Sequence, residues 1–384
     1  MLKDVMGVIY TGENDANLRE LTMMRAIAAL PVAGRYRVVD FLLSSLVNAG
    51  IRNVGVIMQK NYHSLMDHLG SGKEWDLHGK HDGLYVLPPF LTRENVGVYN
   101  GTLDALRSNT NYLSRSKQEY VVLCNSSMIS NPHMDQFIQY HIDTNADVTL
   151  MYTKDEGMLR DEHGTYLQIA EDGRVTDMEV DPNHPTHTCT FMEILILKRD
   201  YLRDLADKGV AHGQHELSRD VLLPMIQNGS GRVMAWEYTG PVWRIDSVQD
   251  YFKFNLDVLD TEVRRKLFAD DLPVYTKIRD EMPARYGESA MVVNSLVADG
   301  CIIEGTVENS ILEAKLSDGK FKKKLFTTCR KFKGLEADAV ILVDVDEHTF
   351  EEENVLRYYV GASRARVRLD MITMMDDEEC TRVL

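Results

Sequence analysis

The residues best placed to do chemistry lie near the start of the chain. The apolar run Val5-Met6-Gly7-Val8-Ile9-Tyr10 reads as a buried first strand, and Thr11-Gly12-Glu13-Asn14-Asp15-Ala16-Asn17-Leu18-Arg19-Glu20-Leu21-Thr22 follows it. A strand running into a loop and then a helix is where α/β proteins hold phosphates, on backbone N–H groups and a helix N-terminus. The composition of this loop opposes that use. It has one glycine, Gly12, and two carboxylates, Glu13 and Asp15. Carboxylates repel a triphosphate, and a loop without further glycines does not easily bring its backbone close to one. A second group, His184, His187 and Cys189, has metal-ligand residue types. It sits in a Pro- and Thr-rich stretch without a second set of ligands, so a solvated loop is the expected reading.

The elements that must position these residues follow from periodicity. From residue 1 to about 255, short apolar runs alternate with amphipathic stretches. Val54–Met58, Tyr120–Cys124 and Asp147–Tyr152 read as strands, with helices at Ser44–Asn48 and Met134–Thr144. This alternation predicts an α/β fold with a doubly wound, Rossmann-like, mostly parallel sheet and ligands at the carboxyl ends of its strands. Val248 to Phe268 reads as one helix, leading into a linker near Asp271-Leu272-Pro273. With 384 residues the chain can hold two or three domains. Its formal charge of −16 disfavours general nucleic-acid binding. Cys124, Cys189, Cys301, Cys329 and Cys380 are scattered and never in C-x-x-C spacing, which fits reduced thiols in a cytoplasm. No signal peptide and no apolar run of about 20 residues is present, so no membrane role is expected.

Ordered blocks across residues 1 to about 312 resemble one family. They are Arg35-Tyr36-Arg37-Val38-Val39-Asp40-Phe41, Asn48-Ala49-Gly50-Ile51, His68-Leu69-Gly70-Ser71-Gly72-Lys73-Glu74-Trp75-Asp76-Leu77, Tyr99-Asn100-Gly101-Thr102-Leu103-Asp104-Ala105, Arg219-Asp220-Val221-Leu222-Leu223-Pro224, and Asn294-Ser295-Leu296-Val297 through Asn309-Ser310-Ile311-Leu312. Together they resemble the bacterial glucose-1-phosphate adenylyltransferase (ADP-glucose pyrophosphorylase) family, and within it the D-type (GlgD) subunits regarded as non-catalytic or weakly catalytic partners. The resemblance implies a nucleotidyltransferase domain over 1–255, a helix and linker over 256–288, and the start of a left-handed β-helix over 289–312.

In active relatives a phosphate oxygen of glucose 1-phosphate attacks the α-phosphorus of ATP. That requires a glycine nest, an arginine on the triphosphate and metal-bound carboxylates. The family's glycines and arginine fall here at Gly12, Glu13, Asp15 and Asn17, and its Lys-Pro falls at Ile27-Ala28. The metal-binding aspartates fall at Ser126 and Arg244, although a slip of two residues would bring in Asp246. The lysine that meets the sugar phosphate falls at Asp181, and the pocket's Ser-Met-Gly falls at Phe191-Met192-Glu193. Tyr99 and Gly164 keep family ligand positions, and Gly101 and Thr102 keep the Gly-Thr motif, while Arg37 and Asp40 are expected to serve folding or subunit contacts. No catalytic residue is therefore assigned. Mg²⁺ is expected only if the site is active, with Asp246 and Asp76 as candidate relocated ligands. ATP and glucose 1-phosphate are expected to bind weakly or not at all. The expected partner is a catalytic subunit of ADP-glucose pyrophosphorylase in a cytoplasmic hetero-oligomer of glycogen biosynthesis.

After Leu312 the resemblance changes. Arg330-Lys331-Phe332-Lys333-Gly334-Leu335-Glu336, running into the strand Ala339–Asp344, resembles motif V of UvrD-like superfamily 1 helicases, and Tyr359-Val360-Gly361-Ala362-Ser363-Arg364-Ala365-Arg366 resembles motif VI. Residues 313–384 are thus expected to be a small α/β helicase-like fragment, attached by a fusion or gene join near Glu313. Motif VI arginines serve a γ-phosphate held on a P-loop. No G-x-x-x-x-G-K-[ST] occurs in the chain, so Arg364 and Arg366 have no nucleotide to reach. The basic stretch Lys315 to Lys333 is expected to be a solvated face or joiner, and Met371 to Met375 a core or edge strand.

Overall fold

The computed structural model describes residues 4–12, 15–79, 82–89, 99–161, 163–278 and 281–312, and the backbone of 325–326, 337–345 and 365–373. The chain forms two compact units, Met1–Arg279 and Asp280–Leu384.

The first unit is built from β1 (Val5–Tyr10), α1 (Val38–Asn48), β2 (Val54–Ile57), β3 (Leu84–Leu87), α2 (Thr102–Ser108), β4 (Tyr120–Asn125), α3 (Met134–Thr144), β5 (Val148–Thr153), β6 (Thr165–Ile169), β7 (Val175–Val180), β8 (Cys189–Lys198), α4 (Arg199–Ala211), β9 (Val233–Glu237), α5 (Val248–Asp257) and α6 (Thr261–Leu267). One sheet runs β7-β6-β8-β4-β1-β2-β3, with β5 against β8 and β9 against β5. β1 is parallel to β2 and β4, β2 to β3, and β5 to β9, whereas β8 is antiparallel to β4, β5 and β6. The sheet is parallel around β1, as periodicity predicts, and changes direction at β8.

Both faces of β1 are covered. Val5 and Ile9 pack with Val39, Leu42 and Leu46 of α1, while Met6, Val8 and Tyr10 pack with Leu103 and Leu106 of α2. That is the period of two expected when helices sandwich a strand. Two helices differ from their expected bounds. α1 starts six residues before Ser44, because the Arg37 N–H donates to Asp40 Oδ2 at 2.9 Å and closes its first turn. Asp40 is fully buried and also meets His68 Nε2 at 2.6 Å, so the Arg37–Asp40 block serves folding. The single helix expected from Val248 to Phe268 is broken into α5 and α6. Asp260 accepts the Glu262 N–H at 2.7 Å and starts the second helix afresh.

In the second unit, Arg285–Tyr286 pairs in parallel with Ile302–Ile303, Met291–Val293 with Thr306–Glu308, and Leu296–Val297 with Ile311–Leu312. The chain therefore coils back on itself, stacking Asn309 on Asn294 through an amide hydrogen bond of 2.8 Å and enclosing Ala298, Cys301, Ile303, Val307 and Leu312. Farther on, Ala337–Val345 pairs in parallel with Ala365–Thr373. The first of these strands contains the expected Ala339–Asp344, and the second reaches Thr373. Glu313, where a join is expected, Arg364 and most of the basic stretch lie outside the described residues.

Candidate functional site

Arg244 is the centre of the candidate site. The segment Trp243–Arg244 pairs antiparallel with Met128–Ile129, and the Ile245 N–H donates to the Ser127 carbonyl at 2.7 Å. This hairpin-like pairing brings Ser126, fully buried at the end of β4, and Arg244 to one place. The guanidinium lies against Gly164: a Cβ there would sit 3.0 Å from Arg244 Nη2 and 3.0 Å from the Tyr166 hydroxyl. Gly164 also has φ +108, a conformation that side chains resist. Only 9 % of the Arg244 side chain is exposed, its nearest carboxylate contact is Asp246 at 3.9 Å from Nε, and neither Nε nor Nη2 has a hydrogen-bond partner.

Acids enter this place from two left-handed turns. Asp181 has φ +49 and Glu193 φ +57. A non-glycine residue in that region costs about 1–3 kcal/mol and persists only where its surroundings hold it. The β8 register slips between Phe191 and Leu195, and the bulge turns the Glu193 carboxylate onto Asn125 Nδ2. Burial raises the Glu193 pKa, Arg244 and Asn125 counteract that, and Asp181 adds to it. Asp181 Oδ1 accepts the Gly164 N–H at 3.0 Å, the Asp181 N–H donates back to the Gly164 carbonyl at 2.8 Å, and Arg219 Nη2 binds Asp181 Oδ2 at 3.0 Å. Glu216 closes the far side. It accepts the Thr102 N–H, and burial and then Glu193 raise its pKa. Gly101 is required here by close approach, since a Cβ would meet the His215 carbonyl at 2.4 Å.

Asp246 and Asp250 form a hydrogen-bonded acid pair beside Arg244. Burial, then the hydrogen bond to Asp250, lifts Asp246 to about 6. Asp250 stays low despite burial, held by hydrogen bonds from Asp246, Ser247 and Arg160, with Arg160 Nη2 at 3.0 Å. Mg²⁺ prefers oxygen ligands. One expected metal position holds Ser126 and the other a guanidinium. A neutral hydroxyl and a cation at these two positions do not fit Mg²⁺; among the described residues no three His, Cys, Asp or Glu side chains are grouped to hold a metal by themselves. Asp76 is 77 % exposed with His78 as its neighbour.

The loop after β1 is occupied in its own way. Asp15 binds Lys60 Nζ at 2.6 Å, and Asn17 is exposed. Gly12 is a packing glycine, since a Cβ would collide with Gln59 and the Tyr10 ring. Tyr99 is buried in the core around α2 and its hydroxyl has no hydrogen-bond partner. The histidines of the metal-like trio separate: His184 faces Asp161 at 3.1 Å and His187 faces Asp177 at 3.1 Å. Sequence reasoning missed Asn125, Tyr166, Glu216 and Arg160. Arg219 was visible inside a matching block, but not as the partner of Asp181.

The Nucleotidyl transferase family profile matches residues 6–260, and that of the UvrD-like helicase C-terminal domain matches residues 325–372. Glycogen biosynthesis protein GlgD of Bacillus subtilis is 33% identical over 322 residues, covering 83% of this chain and 82% of its own length. GlgD of Geobacillus stearothermophilus is 35% identical over 324 residues, with 83% and 82% covered. Glucose-1-phosphate adenylyltransferase of the same organism is 30% identical over 324 residues, with 83% of each covered. A chain with this profile match and these full-length relatives belongs to the nucleotidyl transferase family, beside GlgD and glucose-1-phosphate adenylyltransferase.

Proposed function

We propose that this chain is a GlgD-like subunit of glycogen biosynthesis that turns over little or nothing alone and acts with a catalytic glucose-1-phosphate adenylyltransferase subunit. The observation that carries the reading is the bonded run Arg219–Asp181–Gly164, with the Arg244 guanidinium packed against Gly164. The Gly164 amide is spent on Asp181, and the Arg244 guanidinium lies where a ligand would approach that glycine. A phosphate entering would face Asp181, Glu193 and Glu216, which repel it. The scaffold that relatives use for transfer thus serves here as an acid-lined surface. The coil of the second unit is read in the same proposal as the beginning of a left-handed β-helix, and residues 313–384 as a joined helicase-like fragment without helicase function. Genomic sequence across the codons for residues 305 to 325 tests the join.

The decisive assay is pyrophosphate release from ATP and glucose 1-phosphate, by the purified chain alone and after mixing with a competent glucose-1-phosphate adenylyltransferase subunit. Alone, turnover should fall at least about a thousandfold below an ordinary kcat of roughly 10 per second. In the mixture the competent subunit's activity or saturation should change. Robust turnover by the chain alone overturns the proposal.

A further inference from the structure

The dipeptide Asn-Gly occurs twice in the chain, at Asn100–Gly101 and Asn228–Gly229. Glycine after asparagine leaves the following backbone nitrogen unshielded and free to rotate. That nitrogen can close a succinimide ring on the asparagine side chain. We propose that Asn228 is a self-modifying site, converted in the folded protein to a mixture of aspartate and isoaspartate, while the fold protects Asn100. The Gly229 nitrogen bonds to Asn228 Cγ, and the side-chain nitrogen leaves as ammonia, taking the Gly229 proton. Water then opens the ring. Opening at the side-chain carbonyl leaves aspartate, and opening at the main-chain carbonyl leaves isoaspartate, with the chain running through Cγ. Water is the only co-reactant, and nothing is oxidised or reduced.

The structure decides how easily nitrogen and Cγ can meet. Asn228 ends the short helix Leu223–Gln227, and Gly229 follows it with φ +61. Asn228, Gly229 and Ser230 are all exposed, and nothing lies within 4 Å of where a Gly229 Cβ would stand. The turn is closed by two long bonds, from the Gly229 N–H to the Ile226 carbonyl and from the Ser230 N–H to the Met225 carbonyl, each 3.2 Å. Freeing the attacking nitrogen breaks the first of these alone, and exposed, weakly bonded backbone opens at low free energy. Asn100–Gly101 is held differently. Gly101 is buried against the His215 carbonyl, its own carbonyl accepts the Ala105 N–H at 3.2 Å, and the Asn100 N–H donates to Asp104 Oδ2 at 3.2 Å. On the side before it, the Tyr99 carbonyl accepts from Gln59 Nε2 at 2.8 Å. Rotation there must dismantle the start of α2. Modification of Asn228 has a physical consequence. A new carboxylate would stand at the end of the helix Leu223–Gln227, where free carbonyls already concentrate negative charge. Isoaspartate also lengthens the backbone and pulls Ser230 out of register with Met225. Next in the chain, Gly231 lies close against Met225, and the Arg232 N–H donates to Asp147 Oδ2 at 2.7 Å at the entry to β9, so the change loosens that entry. The turn shares no residue with the candidate site, and the inference stands whatever that site does.

The test incubates the full chain at mildly alkaline pH, folded and in urea, and maps its peptides by mass. Conversion replaces an amino group by a hydroxyl, and isoaspartate-specific methylation separates the two products. In the folded chain, Asn228 should yield both aspartate and isoaspartate, at least about tenfold faster than Asn100. In urea the two asparagines should react within about threefold of one another, since the protection of Asn100 belongs to the fold. The folded rate should rise with pH, because the attacking nitrogen must give up its proton. Asn228→Gln, an exposed and conservative change, should remove the isoaspartate from that peptide and leave the slow conversion at Asn100 as it was. A folded chain that keeps Asn228 amidated, one that converts Asn100 as fast as Asn228, or one that yields aspartate without isoaspartate overturns the proposal.

Discussion

At the residue scale, the site is decided by where single charges sit. The change of an expected lysine to Asp181 and of expected carboxylates to Ser126 and Arg244 is legible in the sequence. How those substitutions answer one another is not, because Arg160 and Asp250 meet across 90 residues and Arg219 and Asp181 across 38. Nor does composition reveal that Asp181 and Glu193 adopt left-handed backbone, which depends on the β8 bulge and the turn at Gly164. The Asp246–Asp250 pair gives a pH prediction. Asp246 is protonated in both folded and unfolded chains well below its ordinary value of 3.8, and its folded value is about 6. Between those values the native state holds the extra proton, so this group's contribution to stability is lost as pH rises through about 6. Asp250, held low, works oppositely and loses its contribution only as pH falls below the ordinary carboxylate range. Asp246→Asn supplies a neutral donor to Asp250 at every pH. It should match the wild type near about pH 4 and exceed it by about 1 kcal/mol near about pH 7, a value discounted from the full shift because the side chain is partly exposed. Urea denaturation of both proteins across that range checks it, and parallel stability curves would refute the shared-proton account.

At the scale of elements, the apolar alternation correctly located β1, β2, β4, β5 and α3, because a strand or helix buried on a fixed period must repeat its apolar residues. It failed at α5–α6, where the period runs on through Val258-Leu259 and local capping wins. Asp260, followed by Thr261 and Glu262, is a recognisable N-cap sequence, and the structure uses it: the carboxylate accepts both the Glu262 and the Val263 N–H groups. Sequence could also not show the reversal at β8, since a buried antiparallel strand in the middle of a sheet has the same apolar composition as a parallel one. The cap carries its own prediction. Asp260→Ala should destabilise the protein by about 1 kcal/mol, and Asp260→Asn by less, because asparagine retains the accepting oxygen. Thermal denaturation of the two variants decides between a cap and a passive linker, for which both would be silent.

For the whole molecule, assembly is expected to turn on the coil of the second unit. Each turn of a parallel coil covers the apolar edge of the one before it, and a stack of one or two turns is marginal. Here Met291 and Val293 on one strand, with Tyr286 on another, are about half exposed, and among the described residues the unit's core consists of the buried Ala298, Cys301, Ile303, Val307 and Leu312. The residues that match the UvrD-like helicase C-terminal profile add Leu325–Phe326 in parallel on Ile302–Ile303 and pair Ala337–Val345 with Ala365–Thr373, and neither pairing keeps the fifteen-residue register that takes Met291 to Thr306 and Leu296 to Ile311. On the proposed reading, self-assembly through the coil is expected to be weak. Its net charge of −16 adds repulsion between copies, which weakens self-association most at low salt. The chain alone should scatter light as a monomer or a mixture of small species. Mixing with a competent glucose-1-phosphate adenylyltransferase subunit should move it into a larger species of fixed composition. Raising the salt should strengthen whatever self-association the chain shows, since screening removes like-charge repulsion while leaving apolar burial intact. A clean tetramer from the chain alone, unchanged by salt and by the added subunit, would mean that the short coil suffices for assembly and that the protein needs no catalytic partner to complete it.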